Sequence, residues 1–233
     1  MPSLARLILV AALLSGLIGT SAAQAVSPYI THSTLDLAAL LPPPPAAGSS
    51  QDAQDLDTLL DLQAHASAAR RAQTLADSEE GFLDMFGPVL GARATEQALP
   101  KTLLLFDRVA ASEEDVLGAV KPVFGRVRPW MAHPEVTPYA KHSTSPSHPS
   151  GHATRVTIDA ILLSAMLPEQ RAAIWARAQA YAQSRIIGGM HYPTDVEAGI
   201  KGGTVIAALL LEQPEFQADL AAAQQELRAA LLP

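Results

Sequence analysis

The chain contains no cysteine. Disulfide scaffolds, thiolate metal sites and cysteine nucleophiles are thereby excluded, although the absence does not identify the compartment. It is also short of positive charge, with 16 Lys and Arg against 23 Asp and Glu, a formal net charge of −7. A phosphate backbone needs a basic face, so nucleic acid is excluded as a partner. Period-2 runs of β-branched residues are missing, and with them the case for strands. Internal repeats are missing too. Beyond the N-terminus no apolar run is long enough to cross a bilayer; the best, residues 203–211, is too short.

The one long apolar run lies at the start. Arg6 precedes the apolar stretch 7–18, and Ser21-Ala22-Ala23-Gln24-Ala25 offers small residues at cleavage spacing. This is the pattern of a secretory signal peptide over residues 1–25, cut after Ala23 or Ala25. An uncleaved anchor is the rival reading, since 7–23 is nearly long enough to span. With cleavage, the mature chain is expected to be exported and free of the membrane.

Residues 26–50 form a proline-rich N-terminal segment. Pro42 to Pro45 favour polyproline II and forbid helix or central strand, and Ala46-Ala47-Gly48-Ser49-Ser50 follows. A plain tether and an ordered strap fit this composition equally. Residues 51–233 read as one helical domain. Leu56, Leu59, Leu60 and Leu62 set a helical stripe in 51–74. Residues 79–91, with glycines and Pro88, read as a loop with a short turn. A helix is predicted over 95–111, and Ser112-Glu113-Glu114-Asp115 resembles a fresh helix start, a capping serine followed by acids. Four more helices are predicted over 153–167, 169–183, 195–211 and 216–231, with Pro168 and Pro214 at the breaks. The expected fold class is all-α, a single-domain bundle of about seven helices.

Despite the acidic total, Lys121, Arg126, Arg128 and Arg185 gather around three motifs. Lys121 and Arg128 are seven residues apart and would share a helix face, with Pro122 and Gly125 kinking that helix and Pro129 ending it. A kinked helix end carrying both cations makes an anion site, although for this pair taken alone a solvated basic face with Arg126 is the more ordinary reading. Pro149-Ser150-Gly151-His152 precedes an apolar helix. Ser150 can cap it, Gly151 allows close backbone approach, and the free N–H groups of a helix start bind phosphate. His142 and His148 read as loop residues, with lining of the pocket as the lesser alternative. In the third motif Arg185 offers a planar fork to phosphate oxygens, and Gly188-Gly189 relaxes the chain before His191. Asp195, four residues on, can hydrogen-bond one imidazole nitrogen and leave the other free to attack. A zinc site using His191 and Asp195 lacks further ligands at familiar spacing, and the arginines repel a cation.

The three pieces occur in order as Lys-x6-Arg-Pro, Pro-Ser-Gly-His and Ser-Arg-x5-His-x3-Asp. Together they resemble the signature of the type 2 phosphatidate phosphatase and vanadium haloperoxidase superfamily. Beyond the motifs the chain is similar to the class A bacterial non-specific acid phosphatases. Leu41-Pro42-Pro43-Pro44-Pro45-Ala46, Asp195-Val196-Glu197-Ala198-Gly199 and Gln213-Pro214-Glu215-Phe216-Gln217 resemble their terminal segments.

The resemblance implies an all-α fold and a periplasmic enzyme of broad range acting on small phosphate monoesters, without metal or cofactor, and it leaves phosphate transfer to other alcohols and homo-oligomerisation open. It implies that Lys121, Arg128, Ser150, Gly151 and Arg185 hold the phosphate oxygens. His191 would attack phosphorus to form a phosphohistidine, Asp195 would orient it, and His152 would protonate the leaving alcohol and then activate water. Two departures stand out: the family often carries cysteines, and the residue before the second motif, often tyrosine, is here His148, which bears on substrate selectivity. Trp130, Met131 and His148 are candidates for the leaving-group pocket. A vanadate-dependent haloperoxidase and a non-catalytic phosphoester-binding protein are the alternatives.

Overall fold

A computed structural model describes residues 26–139 and 142–231. The expected signal peptide lies outside the described residues. Ten α-helices and one 3-10 turn follow in order: α1 Leu37–Leu40, α2 Ser50–His65, α3 Ala68–Ala76, α4 Phe82–Leu90, α5 Pro100–Phe124, α6 Pro129–Ala132, α7 Gly151–Met166, the turn Pro168–Gln170, α8 Arg171–Ile187, α9 Pro193–Leu211 and α10 Pro214–Leu231. Among the described residues no strand occurs and no helix is long and apolar enough to cross a membrane. The all-α class expected from the pattern is what the chain adopts.

The apolar helix after the second motif is the centre of the fold. Twelve of the sixteen residues of α7 are buried, and α5, α8 and α9 pack around it. Packing of α9 on α7 is unusually close because α9 presents glycine there. A Cβ on Gly199 would lie 2.6 Å from the Ser150 carbonyl oxygen, and one on Gly203 would lie 2.5 Å from that of Thr154. Each helix begins at one of the sequence motifs, so this approach sets the distance between the motifs. Gly203→Ala is expected to destabilise the protein by about 1–3 kcal/mol, because rigid backbone has to move to admit the methyl. A urea midpoint equal to the parent's would show that the crossing tolerates the methyl.

Several local readings give way to tertiary packing. The stripe over 51–74 is two helices, broken at Ala66, with Ser67 capping α3 through Arg70 N. The segment 79–91 is not a loop: it holds α4, because Phe82, Met85 and Phe86 fall on one face and are buried. Phe82 stacks on Phe106 with centroids 4.0 Å apart. Pro88 is accommodated in α4 because Arg177 bonds the neighbouring carbonyls, Nε to Met85 O at 2.7 Å and Nη2 to Asp84 O at 3.4 Å. Ser112 does not start a helix. It lies inside the 25-residue α5, and its hydroxyl donates to Arg108 O (2.8 Å) and accepts from Tyr29 N (2.9 Å), docking the N-terminal segment.

The proline-rich segment is an ordered strap. Leu37 and Leu41 are buried before it, Leu37 against the space left by Gly202, and the Pro42 carbonyl faces His148 Nε2 at 3.2 Å.

Candidate active site

Three helix ends meet at one cavity. The C-terminal turn of α5 brings Lys121, and the chain leaves it through Gly125, whose φ of 60° is the left-handed conformation glycine adopts freely. That turn releases the chain to an extended Arg128 ahead of α6. Lys121 and Arg128 therefore do not share one helix face as the spacing predicts; the helix stops between them, and both still reach the cavity. The N-terminus of α7 brings Gly151 and His152. The last turn of α8 brings Arg185, and the backbone folds back through Gly188 and Gly189 so that His191 N donates to the Arg185 carbonyl at 3.1 Å. This reversal explains the spacing of the third motif: five residues are the turn that places His191 beside Arg185. At Gly189 φ is 74° and a Cβ would lie 3.0 Å from Thr137 O, so glycine is required. The turn is tied down by Gln63, whose Nε2 donates to Thr137 O (2.6 Å) and Ile187 O (2.8 Å).

The cavity has a volume of about 570 Å³, and Lys121, Arg128, Arg185, Gly151, His152 and His191 line it together with Glu80 and the loop residues His142 to Ser145. Its cations are poorly hydrated and repel one another. Burial, then the charge of Arg128, lowers Lys121 to about 8. Burial, then Arg185, lowers Arg128 to about 10. Burial also pulls Arg185 down. None of the three has a carboxylate within ion-pair distance in the described structure. They lean instead on carbonyls: Lys121 Nζ on Pro146 O (3.1 Å) and Pro149 O (2.7 Å), Arg128 Nε on Ser145 O (2.7 Å), Arg185 Nη1 on Asp77 O (3.1 Å). Among the described residues, Arg185 Nε is buried with no hydrogen-bond partner, and so is His152 Nε2. Buried donors without acceptors cost free energy until something supplies one. An anion at the α7 N-terminus would satisfy the donors and relieve the repulsion together.

The two histidines differ in their partners. His191 Nδ1 lies 2.8 Å from the Ser147 carbonyl oxygen. A carbonyl only accepts, so Nδ1 carries the proton and Nε2 holds the free pair, 3.1 Å from Arg128 Nη1. Burial first, with Arg128 and Lys121, holds His191 well below the ordinary imidazole value against the pull of Asp195. His152 pairs through Nδ1 with Glu80. Burial and Arg185 lower its pKa, and Glu80 opposes them. Burial would raise Glu80, but the hydrogen bond and charge of His152 outweigh it.

Asp195 is not where its spacing implies. Its Oδ2 is 3.8 Å from His191 Nδ1, too far for a hydrogen bond. Its oxygens are engaged elsewhere. Oδ2 accepts from Ser147 Oγ (2.5 Å) and Tyr192 N (2.9 Å); Oδ1 accepts from Arg126 Nη1 (2.8 Å) and faces His148 Nδ1 (3.2 Å). Asp195 therefore fixes Ser147, and the Ser147 carbonyl fixes the imidazole. Burial alone would raise this carboxyl, but the His148 hydrogen bond and Arg126 hold it well below the usual range.

The model of the PAP2 superfamily matches residues 108–218. The chain is 30% identical over 207 residues to the non-specific acid phosphatase of Providencia stuartii, covering 85% of this chain and 84% of that protein. It is 30% identical over 195 residues to that of Salmonella typhi, covering 80% and 78%. The chain belongs to the non-specific acid phosphatases, within the PAP2 superfamily. An acid phosphatase of Zymomonas mobilis is 28% identical over 240 residues, with 97% of this chain and 91% of that protein covered.

Within this acid phosphatase scaffold, seven of the eight residues singled out from sequence sit at or directly behind the cavity. Ser150 is the exception. It is fully buried, absent from the cavity wall, and its Oγ accepts from Ala153 N as the cap of α7. Arg126, grouped by sequence with the other cations, points away: Asp52, Asp55 and Asp195 neutralise it and Tyr192 lies under it. The leaving-group candidates also shift. Trp130, Met131 and His148 do not line the cavity, whereas His142, stacked on Trp130 at 4.5 Å, does. Glu80, Ser147 and Gln63 carry no motif signal. Glu80 and Gln63 come from segments distant in sequence, whereas Ser147 stands two residues before the second motif and only folding sets its carbonyl against His191.

Proposed function

We propose that this protein is an exported acid phosphatase that cleaves phosphate monoesters through a phosphohistidine on His191. One observation carries the reading: a cavity walled by Lys121, Arg128 and Arg185, none with a neutralising carboxylate among the described residues, holds the unpartnered Arg185 Nε and His152 Nε2 beside a histidine with a free Nε2. A phosphoryl group bound there meets the nucleophile on one side and His152 on the other.

In the first step His191 Nε2 forms a bond to phosphorus as the ester P–O bond breaks. His152 gives its proton to the departing alkoxide. The three cations and the Gly151 amide balance the charge on the equatorial oxygens. In the second step His152, now neutral, takes a proton from water, which attacks phosphorus and frees His191. Asp195 acts behind the site through Ser147. Transfer to an alcohol in place of water follows the same second step. The names of the relatives, non-specific acid phosphatases, support a broad substrate range, and the apolar run with small residues at 21–25 supports export to the periplasm.

The test is a phosphate-release panel on the mature chain, covering aryl, sugar and nucleoside monophosphates, a diester and a lipid phosphate, at acid and neutral pH. Release from several monoesters but not from the diester is expected, with competitive inhibition by vanadate as a five-coordinate mimic. Tight phosphate binding with no release from any ester would instead make the chain a binding protein.

A further inference from the structure

His148 lies in the loop before α7, as the sequence expects, but it does not line the cavity as a leaving-group residue would. Its side chain is buried, with a relative exposure of 1% for the residue, and it sits behind the cavity with its ring edge-on to Phe124 at 4.9 Å. Nδ1 lies 3.2 Å from Asp195 Oδ1, and Nε2 lies 3.2 Å from the Pro42 carbonyl oxygen. Both partners can only accept. A neutral imidazole has one N–H, so either tautomer would leave one of these buried contacts as acceptor against lone pair.

The surrounding charge favours a cation. Arg126 from the loop after α5 faces Asp52, Asp55 and Asp195, so a single guanidinium meets three carboxylates. A positive ring at His148 answers that excess at the one carboxylate whose position matters to His191. The remaining charged groups around the ring are Glu197 and Lys201 of α9, which border with it a small cavity under the strap, and Lys121 of α5, which is spent on the Pro146 and Pro149 carbonyls on either side in sequence.

We propose that His148 carries a proton on both ring nitrogens in the working enzyme and is a positioning residue, clamping Asp195 to the proline-rich strap. The chain of contacts runs from Pro42 O through His148 to Asp195, through Ser147 to its own carbonyl, and from there to His191 Nδ1. The strap thereby becomes part of the nucleophile's support and not a mere tether. The kinetic part of this inference rests on the reading of His191 given above.

The experiment uses the mature chain labelled with 15N-histidine. At the assay pH, both ring nitrogens of His148, assigned by through-bond correlation, are expected at imidazolium shifts. A lone unprotonated nitrogen there would overturn the proposal. The second arm is His148→Gln, which keeps a donor but cannot take the charge. Its kcat is expected to fall about 10- to 100-fold, as for loss of a group that orients a catalytic one, with competitive inhibition by inorganic phosphate unchanged and the His191 Nδ1–H resonance shifted. An unchanged kcat, or loss of phosphate binding in parallel with kcat, would contradict it. If His148→Gln does not fold, the NMR result on the unaltered chain still decides. If the parent chain hydrolyses no ester, the reading of His191 fails, while the ring protonation of His148 is tested all the same.

Discussion

His191→Ala is expected to reduce phosphomonoester turnover by about four orders of magnitude or more, because a covalent step loses its nucleophile and water in the cavity is not positioned in line. Folding should survive, since the imidazole makes few bonds: one to the Ser147 carbonyl and one from Arg128, with a long contact to Ser147 Oγ at 3.4 Å. The cations remain, so inorganic phosphate and vanadate should still bind. Rapid quenching of the parent enzyme with labelled substrate should trap an acid-labile, base-stable phosphoenzyme, and the variant should trap none. Label retained on His191→Ala at the parent's level would remove His191 from the covalent role. The same geometry predicts that the phosphoryl group resides on Nε2, because Nδ1 is committed as donor to a carbonyl.

His152→Asn is expected to cost about 10²–10⁴ in kcat for alkyl phosphates, the usual worth of a positioned general acid. The loss should be much smaller for nitrophenyl phosphate, whose phenolate departs without a proton. An equal loss for both would mean that His152 binds phosphate and does not protonate the leaving group.

The pH profile follows from the same pair. In the proposed mechanism the productive free enzyme has neutral His191 and protonated His152. His191 is held well below the imidazole value of 6.5, so it stays neutral into the acid range and the acidic limb falls there. His152 is also lowered from 6.5, so its proton is lost as pH rises through that depressed value, and the alkaline limb falls below neutrality. The optimum is therefore acidic, with both limbs macroscopic properties of coupled groups. Glu80 raises His152. In Glu80→Gln that support is lost, the His152 proton leaves at still lower pH, and the alkaline limb of kcat/KM should move to lower pH. A limb that stays in place or moves up would disconnect Glu80 from the acid.

Much of the site was legible because its groups lie in short segments whose local geometry is fixed by the backbone. Pro149-Ser150-Gly151-His152 is a helix start wherever it folds, and Ser150 caps α7 as its residue type and position require. Arg185 and His191 sit on either side of a helix end and a glycine turn, so their proximity is a local property. The all-α class was legible for a similar reason, since helical periodicity is carried by neighbours a few residues apart.

What the linear spacing misjudged were choices between partners. Asp195 stands four residues from His191, and that spacing names the imidazole as its partner; Ser147 and Tyr192 N occupy the nearer oxygen instead. Arg126 and Arg128 are two residues apart and of one type, yet one is spent on three carboxylates and the other faces the cavity. Phe82, Met85 and Phe86 form a helix against glycine and proline because burial against Phe106 outweighs weak local propensity.

The sequence by itself determined the all-α class and singled out the two imidazoles and three cations that line one cavity. The tertiary structure alone decided how those groups are held: Glu80 on His152, Ser147 between Asp195 and His191, and His148 joining the strap to Asp195. Hydrogen-bond partners remote in the chain leave no periodic trace, because a directional contact across the core is selected by where two helices cross, and here that crossing is set by Gly199 and Gly203.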